Sequence, residues 1–139
     1  MKKLLCLLLL CGTIVYAQAQ KISAKDVPAP VTDAFNKTHT SPKDVEWLKD
    51  GKYYRVEYTV NKLENAISYD ITGVVINSKE GIPVLNLPKC VGDYVRIQYP
   101  HDDIKKAFKV TDTSMVLTYE ADVNDKQLRF DVNCTLISS

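Results

Sequence analysis

Few side chains in this 139-residue chain could carry covalent or metal chemistry. It holds two histidines, His39 and His101, and four cysteines. His101-Asp102-Asp103 sets an imidazole beside two carboxylates, the donor types that bind divalent cations, but neither a cysteine nor a second histidine supports them. Such a cluster is more often a solvated turn, and no metal ligand is assigned. His39 falls where a helix is expected to end, a position at which a histidine favours the helix dipole. Ser41-Pro42-Lys43 is not a serine–lysine catalytic pattern and reads as a turn. Cys90 and Cys134 have no histidine nearby in sequence. The chain also lacks a phosphate-binding glycine loop, a nucleophile elbow and a paired-histidine zinc motif. No catalytic residue and no cofactor are expected, and the chain is read as a non-enzyme.

The first residues set the compartment. Met1-Lys2-Lys3 leads into an apolar run from Leu4 to Tyr16, followed by Ala17 and Ala19 in the spacing of a cleavage site. That order is a secretory signal peptide over residues 1–19, too short to stay in a bilayer as a spanning helix. Leu10 precedes Cys11 where lipid attachment requires a small residue, so a lipoprotein is disfavoured. The expected location is periplasmic or secreted. Without residues 1–19 the chain has 16 basic and 17 acidic residues. A near-neutral balance gives no case for nucleic acid, and no transmembrane segment is expected in the mature chain. An oxidising compartment allows Cys90 and Cys134 to pair. Two separate thiols packed in a core are the alternative.

The elements that would position these residues are written twice. Val27-Pro28-x-x-Val31-x-Asp33-Ala34-Phe35 is answered about sixty residues later by Leu87-Pro88-x-x-Val91-x-Asp93-Tyr94-Val95. The apolar spacing is one face of a helix, and proline suits a first turn, so helices are predicted near 28–38 and 88–98. Tyr54, Val56, Tyr58 and Val60 alternate with polar residues, as do Met115, Leu117, Tyr119 and Ala121. Ile67 and Tyr69 are matched by Leu128 and Phe130. Period-two alternation of this kind predicts half-buried strands. The weaker strands are Val45–Leu48 with Lys106–Lys109, and Val74–Ile76 with Thr135–Ile137. The expected fold class is α+β, two tandem repeats of one helix plus about four antiparallel strands. Both helices would lie on one face of a continuous or closely apposed sheet. The repeats span 20–78 and 87–139, with 79–86 as linker. Trp47, matched by offset to Phe108, is expected in the core.

Strand parity then assigns a surface. If Val56, Tyr69, Leu117 and Phe130 face the helices, their neighbours face solvent. These neighbours are Tyr53, Arg55, Glu57, Ser68 and Asp70 in one half, and Val116, Thr118, Glu120, Arg129 and Asp131 in the other. Tyrosine and arginine are enriched at binding hot spots. A sheet displaying both is a candidate docking face for a protein or peptide, although alternating charges on a wet sheet also serve solubility. The competing functions are an envelope structural or self-associating protein and a small-ligand carrier.

Several of these motifs carry a resemblance. Val27-Pro28, Val31, Ala34-Phe35, Val45-Glu46-Trp47, Asp50-Gly51-Lys52-Tyr53-Tyr54 and Tyr69-Asp70-x-x-Gly73 contribute, with Leu87-Pro88, Val91, Tyr99-Pro100 and Phe130-Asp131. The chain resembles the PepSY-like, β-lactamase-inhibitor-like secreted proteins of Bacteroidetes-type bacteria over nearly all of its mature length. The resemblance implies tandem helix-plus-sheet repeats, a periplasmic or outer-surface location, and a binding or inhibitory role. Two places depart from the pattern. His39-Thr40-Ser41 replaces a usual Tyr-Pro-Gly, and Cys134 stands where a turn glycine is expected. The second departure suggests either an altered turn or a cysteine placed to meet Cys90.

Overall fold

The computed structural model describes residues 18–139. Residues 1–17 of the expected signal peptide, Cys11 among them, lie outside the described residues. Two helices of ten residues form, α1 (Ala29–Thr38) and α2 (Lys89–Gln98). Each starts just after a proline, whose carbonyl accepts the first helical N–H: Val31 on Pro28 at 3.0 Å and Val91 on Pro88 at 2.9 Å. Their buried faces are Val31 with Phe35 and Val91 with Val95, the i, i+4 spacing of one helix stripe.

Nine strands complete the described residues. They are β1 (Gln20–Ile22), β2 (Lys43–Asp50), β3 (Tyr53–Val60), β4 (Leu63–Tyr69), β5 (Val75–Ile82), β6 (Ile104–Thr111), β7 (Leu117–Val123), β8 (Lys126–Phe130) and β9 (Leu136–Ser138). Each pairs antiparallel with the next, giving a single sheet in sequence order. The β3–β4 turn is made by Asn61 and Lys62, both at positive φ, which fits the twist of a two-residue hairpin.

This corrects the expected fold class. The protein is not an α+β pair of repeats of one helix and four strands but a mostly-β unit built on one nine-stranded antiparallel sheet. The joining pairs are Ser78–Ile82 of β5 with Ala107–Thr111 of β6. Of the two arrangements expected, the continuous sheet is the one formed, because merely apposed sheets would leave the backbone donors and acceptors of both strands bare. Lys79–Ile82, expected at the start of a linker, therefore belong to β5. Gly81 there is required by a close approach inside the sheet rather than by a turn. A Cβ on it would run into the Glu64 carbonyl oxygen.

Both helices lie on one face, each over its own apolar cluster. Under α1, Phe35 meets Trp47 edge-on at 5.6 Å and Tyr58 at 5.1 Å, above Val56, Ile67 and Tyr69. Under α2, Val91 and Val95 pack with Ala107, Ala121, Leu128 and Phe130. Burying each of the larger side chains contributes about 1.5–3 kcal/mol.

Met115 departs from its expected strand position facing the helices. It sits in the β6–β7 turn at φ 59° and is 81% exposed. Asp112 causes this, because its Oδ1 accepts the backbone N–H of Ser114 at 2.9 Å and of Val116 at 3.0 Å. The strand consequently begins only at Leu117, and Val116 lies in the turn rather than on the sheet face.

Candidate docking face

The face opposite the helices carries the polar parity of each strand. Tyr53, Arg55 and Glu57 of β3, Ser68 of β4, Thr118 and Glu120 of β7 and Arg129 of β8 all fall on it. The structure thus brings most of the sequence-assigned residues onto one surface. Two are placed elsewhere. The Oδ1 atoms of Asp70 and Asp131 cap hairpin turns, accepting N–H groups from Thr72 and Val74 and from Asn133 and Thr135. Those carboxylates are engaged by their own backbone, and the bonds hold Asp70 below the usual carboxylate range, led by the Thr72 hydroxyl.

The face is not flat. Glu46 on β2, Arg55 and Glu57 on β3, Glu64 on β4, Lys106 and Phe108 on β6, Asp122 on β7 and Gln127 on β8 line one hollow of about 330 Å³. Strands β2 and β8 are six steps apart, which a flat sheet would separate by about 29 Å. The sheet must therefore curl around its helix-free side, as twisted sheets do.

Glu120 is where this face differs most from an ordinary wet surface. Its side chain is only 3% exposed. Lys79 donates to one carboxylate oxygen, and Arg129 Nη2 donates to the other at 3.0 Å. Burial pushes the carboxyl up, but the two hydrogen bonds and their charges outweigh it and hold Glu120 below its ordinary value. Lys79 also lies 4.0 Å from the centroid of the Phe108 ring, so one ammonium serves a carboxylate and an aromatic face. Arg55 Nε donates to Glu57 at 2.9 Å, and Lys106 to both oxygens of Glu64 at 2.7 and 2.8 Å.

Two buried side-chain atoms have no hydrogen-bond partner among the described residues, Asp122 Oδ1 and Arg129 Nε. Both belong to this face. Burial raises the Asp122 carboxyl above its ordinary value; Lys79 and Lys106 work against the rise, while Glu120 and Glu64 add to it. Unpaired buried polar atoms are uncommon in folded proteins.

Sequence reasoning missed Lys79, Phe108, Glu64, Lys106 and Asp122. Phe108 was matched by offset to Trp47 and so to the helix side, yet it pairs with Glu120 while its neighbour Ala107 joins the α2 cluster. A one-residue shift of register moves a side chain to the other face. The usable signal was alternation along Ala107-Phe108-Lys109-Val110, ambiguous because both parities hold an apolar residue.

Cys90, at the start of α2, is joined by a disulfide to Cys134 in the β8–β9 turn, with Cα atoms 6.0 Å apart. Cys134 has φ 63° and Gly73, in the β4–β5 turn, φ 85°. The cysteine thus takes up the left-handed geometry without altering the turn. A Cβ on Gly73 would meet the Pro30 carbonyl oxygen, so this turn presses directly on α1. His101 is exposed, and no three potential metal-binding side chains converge among the described residues. No described helix is long and apolar enough to cross a membrane.

No protein-family model matches the chain, and a search of curated proteins finds no match. Solved structures do share the fold. A candidate periplasmic protein of Bacteroides eggerthii is similar with a TM-score of 0.70 at 12% identity, over 81% of this chain and 86% of that one. A DUF2874 family protein of Bacteroides uniformis is similar with a TM-score of 0.66 at 18% identity, over 80% and 86%. A BLIP-like protein of Bacteroides fragilis is similar with a TM-score of 0.60 at 16% identity, over 80% and 84%. The fold of the chain is therefore the BLIP-like one.

Proposed function

We propose that this chain is an exported, non-enzymatic binding module of PepSY-like, β-lactamase-inhibitor-like character that presents its curled, helix-free sheet face to a protein partner. The observation that carries the reading is the hollow, lined from β2 to β8 on a face that no element among the described residues covers. A concave surface with a buried charge cluster, a ring of carboxylates and flanking Tyr53 and Arg55 has the anatomy of a recognition patch. Export is read from the signal-like residues 1–19, and β1 begins at Gln20, where cleavage after Ala19 would leave the new N-terminus. The similar Bacteroides structures, one described as a candidate periplasmic protein and one as BLIP-like, support both the location and the inhibitor-like role.

Self-association through sheet edges is less favoured, because both edge strands, β1 and β9, are only three residues long. A small-ligand role would need the gap on the helix side near His39, Tyr58 and Glu80, which is open and shallow. The test is capture from periplasmic extract with the immobilised chain, a Tyr53→Ala/Arg55→Ala variant, a Glu57→Lys variant, and a helix-side control, Ile97→Ala. Proteins retained by the wild type and the control but released by both face variants are the expected result. A partner set unchanged across all four removes this face from consideration.

A further inference from the structure

The hollow is specific enough in its chemistry to say what part of a partner enters it, an inference that rests on the docking reading. Five carboxylate residues line it, Asp44, Glu46, Glu57, Glu64 and Asp122, against three bases, Arg55, Lys79 and Lys106. Every one of those bases is already held by an acid: Arg55 by Glu57, Lys106 by Glu64, and Lys79 by Glu120 beneath it. Glu46 is in turn held by Lys21, so the lining carboxylates left without a base among the described residues are Asp44 and Asp122, and the surplus is negative. Phe108 and Ala66 are the buried apolar part of a floor that also holds Lys79. At about 330 Å³ the volume is at the low end for ligand pockets and suits a side chain better than a whole small molecule.

We propose that the hollow receives a lysine or arginine side chain carried on an exposed loop of a protein partner. The aliphatic stem lies along Phe108 and Ala66, as long cationic side chains do on apolar surface. The charged head reaches the carboxylates of Asp122 and Asp44. An anionic side chain meets three lining bases each already held by an acid, and the unpartnered Arg129 Nε is not part of the lining. An apolar one would seal Asp122 away from water without a partner, which is unfavourable.

The test uses the purified chain labelled with 15N, titrated with blocked pentapeptides of the form Gly-Gly-X-Gly-Gly, where X is lysine, arginine, norleucine or glutamate. The lysine and arginine peptides are expected to shift the amide resonances of Ala66, Phe108 and Asp122 in a saturable way at millimolar concentration. The norleucine and glutamate peptides are expected to leave them in place. Asp122→Asn weakens the lysine peptide about tenfold, the loss of one charged contact, and exposed Asp103→Asn changes nothing. Glu64→Gln, at the rim, serves as the second variant should Asp122→Asn disturb the spectrum, and it too weakens binding. The proposal is overturned if norleucine or glutamate shifts the same resonances as strongly, or if lysine shifts only amides outside the hollow. It is equally overturned if lysine shifts nothing. If the face variants still release a captured partner while the lysine peptide fails, the docking reading stands and this inference alone falls.

Discussion

Glu120→Gln isolates the charge of the buried cluster from its shape. The wild-type carboxylate accepts from Lys79 and Arg129, and hydrogen bonds to a charged group contribute about 1.5–3 kcal/mol each. A glutamine keeps one acceptor oxygen and loses the charge, which roughly halves such bonds. The worst case, a fully buried ion left unpaired, costs about 3–5 kcal/mol. That case does not apply in full, because the Lys79 and Arg129 side chains are 25% and 43% exposed and keep access to water. The expected loss is about 2 kcal/mol in urea unfolding at neutral pH. With an unfolding entropy of about 0.25 kcal/mol/K for a domain of this size, Tm falls by about 8 °C. The pH dependence gives the sharper check. Glu120 is held below its ordinary value in the folded state, so its contribution is present above the unfolded carboxylate range. It is lost as pH falls through the folded value. Wild type and variant should therefore converge in acid. A difference under about 0.5 kcal/mol at neutral pH, or a gap that stays constant into acid, would refute the electrostatic account and leave packing as the only role of Glu120.

Asp122 has the opposite sign: its carboxyl is raised by burial, so the fold loses stability as that group ionises with rising pH. Asp122→Asn should leave the protein at least as stable at neutral pH in the same urea assay. Burial pushes the Tyr69 hydroxyl up to about 12, so its share of stability is present below the unfolded value and lost as pH climbs through the folded one. Tyr69→Phe should flatten the alkaline limb of a Tm-against-pH series. Gly73→Ala combines a positive φ with a collision against the Pro30 carbonyl and should cost more than about 2 kcal/mol in thermal unfolding. Cys90→Ala/Cys134→Gly keeps the left-handed turn but opens a link across 44 residues. The chain-entropy expectation is a loss of about 4 kcal/mol, matched by wild type under reductant.

Local order was legible. The spacing Val31–Phe35 and Val91–Val95, each behind a proline, is a helical stripe whatever surrounds it, because it follows from 3.6 residues per turn. The alternation in Tyr54–Val60 and Ile67–Tyr69 likewise put Val56 and Tyr69 under a helix and Arg55 and Glu57 opposite. What the sequence hid were places where one residue had two physical explanations. Gly81 before Pro83 looks like a turn, but it is the gap that lets β4 approach β5. Met115 looks like a strand residue by offset, yet Asp112 three positions earlier closes a turn around it. Asp70 and Asp131 carry the parity of the open face, but a carboxylate following a strand finds backbone N–H groups within reach before it finds solvent.

The continuity of the sheet, one of the two arrangements expected, is what makes the site. In two closely apposed sheets, Glu46 and Glu57 would lie on one surface and Phe108, Asp122 and Gln127 on another. Pairing β5 with β6 joins them into a layer wide enough for its twist to accumulate into a curl. Lys79 then stands in the middle strand, between the carboxylates of β3 and β4 and those of β7, and can reach across to Glu120. On an exposed connection the same ion pair would be worth little. Inside the continuous sheet the same residue anchors the floor of the hollow. The hollow is thus a property of the joined sheet, and a change that weakens the β5–β6 pairing should disperse it before it unfolds either helix cluster.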